Sequence, residues 1–135
     1  MEESIEKLRT LQEKVPEVLH LVRSSAGLVA GSVYEARTRC GRQGCKCMTS
    51  DYRHVNRCVS LRHGGKSRTR TVPDHLTEEF ETATDAYRSA RMARRLIAQT
   101  ATELLKDIDR LIAKAADRGQ CRMLVRLQQA GKDGK

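Results

Sequence analysis

Residues 74–118 read DHLTEEFETATDAYRSARMARRLIAQTATELLKDIDRLIAKAADR, and their apolar period decides the fold. Leu76, Phe80, Ala83, Tyr87, Ala90, Arg94, Ile97, Ala101, Leu104, Ile108, Leu111 and Ala115 recur at alternating steps of four and three. That is a seven-residue repeat, the mark of a helix whose stripe packs as a left-handed coiled coil. About 40 residues of helix would run roughly 60 Å, and such a helix cannot bury its stripe alone. Arg94 is the charged residue in the seam; it either sets register or carries its head out to solvent.

The segment upstream supplies one partner. Ile5, Leu8, Leu11, Val15, Val18, Leu19 and Val22 stand at helical spacing. Pro16 predicts a kink or two short helices there, and Ser24-Ser25-Ala26-Gly27 predicts the stop. This helix is about half as long as the one downstream, so it covers at most half of the long stripe. The remainder implies a second chain, the simplest solution being a two-fold homodimer with Ile97, Leu104, Ile108 and Leu111 as anchors.

Between the two helices the period changes. Val55, Val59 and Leu61 fall on alternate positions with Arg57, as in a half-buried strand. Gly64-Gly65 suits a tight hairpin, Arg68, Arg70 and Val72 continue into a second strand, and Pro73 ends it. The expected fold is α+β, mainly α. It comprises a helical segment over 1–27, a small antiparallel sheet module over 28–73, the long helix over 74–118, and a short basic helix and tail over 119–135.

Charge is concentrated on the sheet module. The chain carries a net +9. Residues 34–73 hold Arg37, Arg39, Arg42, Lys46, Arg53, Arg57, Arg62, Lys66, Arg68 and Arg70 against only Glu35 and Asp51. A patch this dense attracts polyanions, nucleic acid first among them. Aromatic residues make up 3% of the chain, which excludes base stacking on aromatic platforms and leaves phosphate contact as the mode of binding.

The same module holds the sequence Cys40-Gly-Arg-Gln-Gly-Cys45-Lys-Cys47, three thiols spaced C-x4-C-x-C. Two glycines let the backbone turn so that the sulfurs converge, and the neighbouring cations favour thiolates. The acidic N-terminus is unlike a secretory leader, and no apolar run reaches membrane length. The expected location is therefore the cytoplasm, where thiols stay reduced and a tight cysteine group reads as metal ligands. Three thiolates suit Zn2+, with His54 or Cys58 as the fourth ligand and His63 as a distant third choice. A catalytic zinc would keep an open position beside a carboxylate base; only Asp51 lies near, so a structural zinc is expected.

Val33-Tyr34-Glu35, Arg39-Cys40-Gly41, Gly44-Cys45-Lys46-Cys47, His54, Gly64-Gly65-Lys66 and Val72-Pro73 together resemble an uncharacterised family of small prokaryotic proteins. The likeness covers residues 31–95 and is most specific in the cysteine spacing. It implies a zinc knuckle followed by a long helix, a setting among transposons and other mobile elements, and His54 as fourth ligand. The chain departs from that pattern after His54, where Val55-Asn56-Arg57-Cys58 replaces a Gly-Pro and three tyrosines, so Cys58 stays as the alternative.

No phosphate loop, nucleophile constellation or dinucleotide fingerprint is present. Asp107 and Asp109 diverge around the long helix and read as solvated surface. The expected function is that of a non-enzymatic, zinc-stabilised accessory protein that contacts DNA or RNA phosphates. The alternative is a regulator or inhibitor that binds a nucleic-acid enzyme: a nuclease, a recombinase or a CRISPR effector.

Overall fold

Pro73 has no amide hydrogen to give a strand, and the chain turns there from sheet to helix. In the computed structural model, which describes residues 1–24 and 27–134, the elements are α1 (Glu2–Arg23), β1 (Gly31–Thr38), α2 (Lys46–Thr49), β2 (His54–His63), β3 (Lys66–Thr71) and α3 (Asp74–Asp133). The Pro73 carbonyl accepts the first bond of α3, from the Leu76 amide at 3.0 Å, and a second from the Thr77 hydroxyl at 3.2 Å. The fold is α+β and mainly α, with an N-terminal helix, a three-stranded antiparallel sheet and a long C-terminal helix. No helix among the described residues is long and apolar enough to cross a membrane.

Two helix boundaries differ from expectation. α3 does not stop near residue 118 or give way to a separate helix and frayed tail; it continues through Gly119 and Gly131 to Asp133, 60 residues in all. A glycine inside a helix costs about 1 kcal/mol, and the strong formers around it (Ala115, Ala116, Arg118, Gln120) outweigh one such penalty. α1 likewise runs unbroken through Pro16, leaving the Gln12 carbonyl without its usual donor four residues on. The stop expected at 24–27 falls partly on residues 25 and 26, outside the described residues.

The chain divides into two compact units. The unit Val15–Arg94 holds the sheet, in the order β1-β2-β3. Val33 stands opposite Val59, Tyr34 opposite Cys58, and His54 opposite Thr38. β2 meets β3 with His63 against Lys66, across a turn whose Gly64 and Gly65 are both left-handed (φ 58° and 74°), as a two-residue hairpin demands. The buried hydrophobic side chains here are Cys47, Cys58, Val59, Val72, Ala83, Ala90 and Ala93. Thr84 is buried beside them and donates its hydroxyl to the Phe80 and Glu81 carbonyls. This is a thin core; only Val59 and Val72 bring branched aliphatic bulk to it.

The unit formed by Met1–Lys14 and Arg95–Lys135 is helical. α1 turns less of its apolar face inward than expected. Ser4, Lys7, Thr10 and Leu11 are half-buried, whereas Ile5 and Leu8 are exposed. A half-buried ion pair holds this side of α1: Lys7 Nζ reaches Asp107 Oδ2 at 2.7 Å, with the two side chains 15% and 13% exposed, and Lys7 also meets Glu3 Oε1 at 3.1 Å. The Ser4 hydroxyl donates to the same carboxylate oxygen at 3.3 Å, and Arg110 approaches its other oxygen at 3.3 Å. Asp107 is therefore not the solvated surface residue that its helical spacing suggested. Lys7 as hydrogen-bond donor pulls the Asp107 carboxyl below the usual range, and the same bond raises Lys7.

The seam of α3 also drifts. Arg94 is exposed, while Ala93 and Thr100 are buried. Ile97 and Leu104 are half-buried, and Ile108 and Leu111 are exposed.

Candidate metal centre

The loop between β1 and β2 folds around its sulfurs. Gly41 and Gly44 take left-handed φ of 74° and 79° with open space around each Cα, so backbone conformation rather than crowding requires glycine there. The Cys45 amide closes a turn on the Arg42 carbonyl at 3.3 Å, and the Met48 amide returns to the Cys45 carbonyl at 3.0 Å. This short helical turn carries Cys47 inward, where it is fully buried. The first residue of β2 then delivers His54.

Cys40, Cys45, Cys47 and His54 present one donor atom each, all within 4.8 Å of one another. Cys40 Sγ lies 3.5 Å from Cys47 Sγ, and Cys45 Sγ lies 3.2 Å from His54 Nε2. A tetrahedron with bonds of about 2.3 Å to sulfur and 2.0 Å to nitrogen has edges of roughly 3.8 and 3.5 Å. Those two separations lie close to such edges, and the chemistry of the donors, three thiols and an imidazole, is that of a closed structural site. The cluster could hold one metal ion and is compatible with zinc.

His54, not Cys58, joins the thiols. Cys58 stands four residues further along β2, about 13 Å away at strand rise, buried in the sheet opposite Tyr34 and Thr71. His63 pairs with Lys66 at the hairpin, remote from the cluster along the same strand.

The surroundings ready the site for a cation. The Cys40 backbone amide points at Cys47 Sγ from 3.4 Å. That contact, helped by the Cys40, Cys45 and His54 side chains and opposed by burial, brings the Cys47 thiol down to about 7. At Cys45 the Cys47 amide favours the thiolate, but the crowded Cys47 and Cys40 sulfurs and burial prevail and push that thiol up. Three sulfurs this close cannot all ionise cheaply without a shared cation. The Tyr52 ring stands edge-on to His54 with centroids 5.4 Å apart; nothing in the residue spacing announced that contact.

Arg53 belongs to this loop rather than to a free basic surface. Its Nη1 donates to the carbonyls of Cys47 (3.3 Å), Ser50 (3.0 Å) and Tyr52 (2.8 Å). The other nine basic residues of the module are all exposed. Strand alternation with the observed register places Arg37, Arg57, Lys66, Arg68 and Arg70 on one face of the sheet and Arg62 on the other. Arg39, Arg42 and Lys46 stand on the metal loop. Arg37 pairs with Glu35 at 3.4 Å and Arg57 with Glu81 at 3.5 Å. Among the described residues, Arg39, Arg42, Lys46, Arg62, Lys66, Arg68 and Arg70 make no ion pair.

These features define a mainly helical α+β protein with a Cys/His cluster able to hold a metal on a small basic sheet. Residues 1–82 match the family described as Domain of unknown function (DUF6788), and the chain belongs to that family. The match takes in α1, the sheet, the cysteine loop and the start of α3. An uncharacterised family, as the cysteine motif suggested, is thus what the chain joins. No curated protein and no solved structure matches the chain.

Proposed function

We propose that this protein is a zinc-stabilised, non-enzymatic accessory protein of the cytoplasm that binds DNA or RNA through the phosphates, and that it serves a mobile element as a homodimer. In this reading Cys40, Cys45, Cys47 and His54 hold a structural zinc, which fixes the loop that carries Arg39, Arg42 and Lys46. Lys66, Arg68 and Arg70 extend the cationic surface along β3. The observation that carries the reading is the set of cations without acidic partners on one small module. Such charges repel one another unless a polyanion neutralises them. Phosphate contact asks for no aromatic platform and little sequence preference, in keeping with a composition poor in aromatics.

The test is binding of a short labelled duplex by the wild type and by Arg68→Ala/Arg70→Ala. Loss of two phosphate contacts should weaken binding to unrelated sequences alike. Equal affinity of both proteins would reject β3 as the contact surface.

A second reading has its own support. Leu105, Ile108, Leu111 and Ile112 are exposed on α3, an apolar surface of the kind that meets a partner protein. Here the partner would be a nucleic-acid enzyme that the protein regulates, and the variant would bind duplex as poorly as the wild type.

A further inference from the structure

Within the helical unit, α3 carries a cation at every fourth position: Lys106, Arg110, Lys114, Arg118, Arg122 and Arg126. Residues four apart stand on one oblique row of a helix, inclined about 26° to its axis. Each step climbs about 6 Å, so the row is about 30 Å long. It is continuous because the helix passes through Gly119 without a break; a stop there would have set Arg122 and Arg126 on a separate element. All six side chains are exposed. Arg110 pairs with Asp107; among the described residues the other five make no ion pair. From Arg118 to Lys132 there is no acidic residue.

The arrangement works against the helix that bears it. Like charges at i and i+4 repel across one turn, and six positions in a row make five such pairs. From Ile108 onward every described residue of α3 is exposed, so no tertiary packing offsets the repulsion. A solvated helical face is favoured when Glu or Asp stands four residues from Lys or Arg; here the fourth residue is a further cation each time. A polyanion laid along the row removes the repulsion.

We propose that this row binds the sugar-phosphate backbone of a nucleic-acid strand, as a second contact surface separate from the sheet module. The rise of about 6 Å per cation is on the scale of the step between successive phosphates of one strand. The winding of the row selects among polyanions. Each step of four residues turns the next cation about 40° around the axis, so Lys106 and Arg126 stand about 200° apart. A membrane is flat and meets one side of a helix, whereas a strand that crosses the helix obliquely follows the row from end to end. Residues 95–134 also contain no Trp, Tyr or Phe, the side chains with which an interfacial helix holds to lipid. The proposal shares its polyanion with the function proposed above but none of its residues, so the two are tested apart.

Binding of labelled duplex DNA and labelled single-stranded RNA by the full chain is the test. Three proteins are compared: the wild type, Arg118→Gln/Arg122→Gln/Arg126→Gln, and Arg68→Ala/Arg70→Ala. The triple variant should bind at least one probe about 10-fold or more weakly than the wild type, whatever its sequence. Its slope of log affinity against log salt should be shallower by about 2 to 3. Gln keeps the helix propensity and removes like-charge neighbours, so far-UV circular dichroism and thermal stability should not fall. Arg118→Lys/Arg122→Lys/Arg126→Lys should keep most of the affinity, which separates lost charge from lost fold. A triple Gln variant that binds both probes as the wild type does would overturn this proposal alone if Arg68→Ala/Arg70→Ala binds more weakly. The reverse pattern would support the row and reject β3. A wild type that binds neither probe would overturn both readings, and its capture by anionic phosphatidylserine vesicles would assign the row to a membrane instead.

Discussion

Removing the metal, with a chelator or by Cys45→Ser, should unfold the sheet module while leaving most helical signal in place. The magnitude follows from the loop the ion closes. Cys40 to His54 spans 15 residues, and all four donors lie inside that span. Cross-linking a loop of this length removes about 3 kcal/mol of chain entropy from the unfolded state. That is a large share of the roughly 5–15 kcal/mol that holds a domain together, and the thin core around Val59 and Val72 has little to replace it. At about 4–8 °C per kcal/mol, the unit should lose on the order of 12–24 °C in Tm. The assay is thermal unfolding followed by circular dichroism, with and without chelator, on protein whose zinc has been quantified. Protein that holds no metal under reducing conditions, or whose Tm moves by less than about 2 °C on chelation, would show that no ion supports the module.

Four further outcomes follow. Zinc affinity should fall across the whole range as pH drops, since protons compete for the raised Cys45 thiol throughout, and more steeply below about 7, where they also compete for Cys47; competition against a chromophoric chelator from about pH 8 to 5 reads this. In the helical unit, Asp107→Asn should destabilise by leaving the half-buried Lys7 with only the exposed Glu3 carboxylate as partner, whereas Lys7→Met/Asp107→Leu should recover most of the loss. With Asp107 lowered and Lys7 raised, the pair's contribution should hold from about pH 4 to 10, fading as acid protonates the carboxylate or base neutralises the amine, in urea titrations across that range. Gly31→Ala places a Cβ against the Ser60 carbonyl oxygen, at a separation no Cβ tolerates, so β1 must shift away from β2, at a cost of about 1–3 kcal/mol in the same titrations.

What the sequence disclosed and what it hid divide on physical lines. The three thiols and His54 lie within one short loop, and Gly41 and Gly44 mark its turns, so local spacing sufficed to predict their convergence. Pro73 and Gly64-Gly65 act on the backbone next to them and marked the strand ends. The facing of α1 was hidden, because periodicity shows that a face is apolar but not which neighbour it meets. The decisive contact joins Lys7 to Asp107, 100 positions apart. Gly119 misled because its penalty is one term in a sum over many helical residues. Arg94 misled because a heptad count does not show that the buried face steps by three rather than four after Ala90, to Ala93. Arg53 was counted with the phosphate-binding cations on charge alone, whereas its three carbonyl partners come from loop geometry.

The proposed binding of nucleic-acid phosphates by the sheet module is read from the affinity of a plain duplex as a function of salt. With about six cations engaged, the slope of log affinity against log salt should be near about −5, a loss of about 10³ between roughly 50 and 200 mM. An affinity that is flat in salt, or no binding at about 50 mM by zinc-loaded protein, would contradict it.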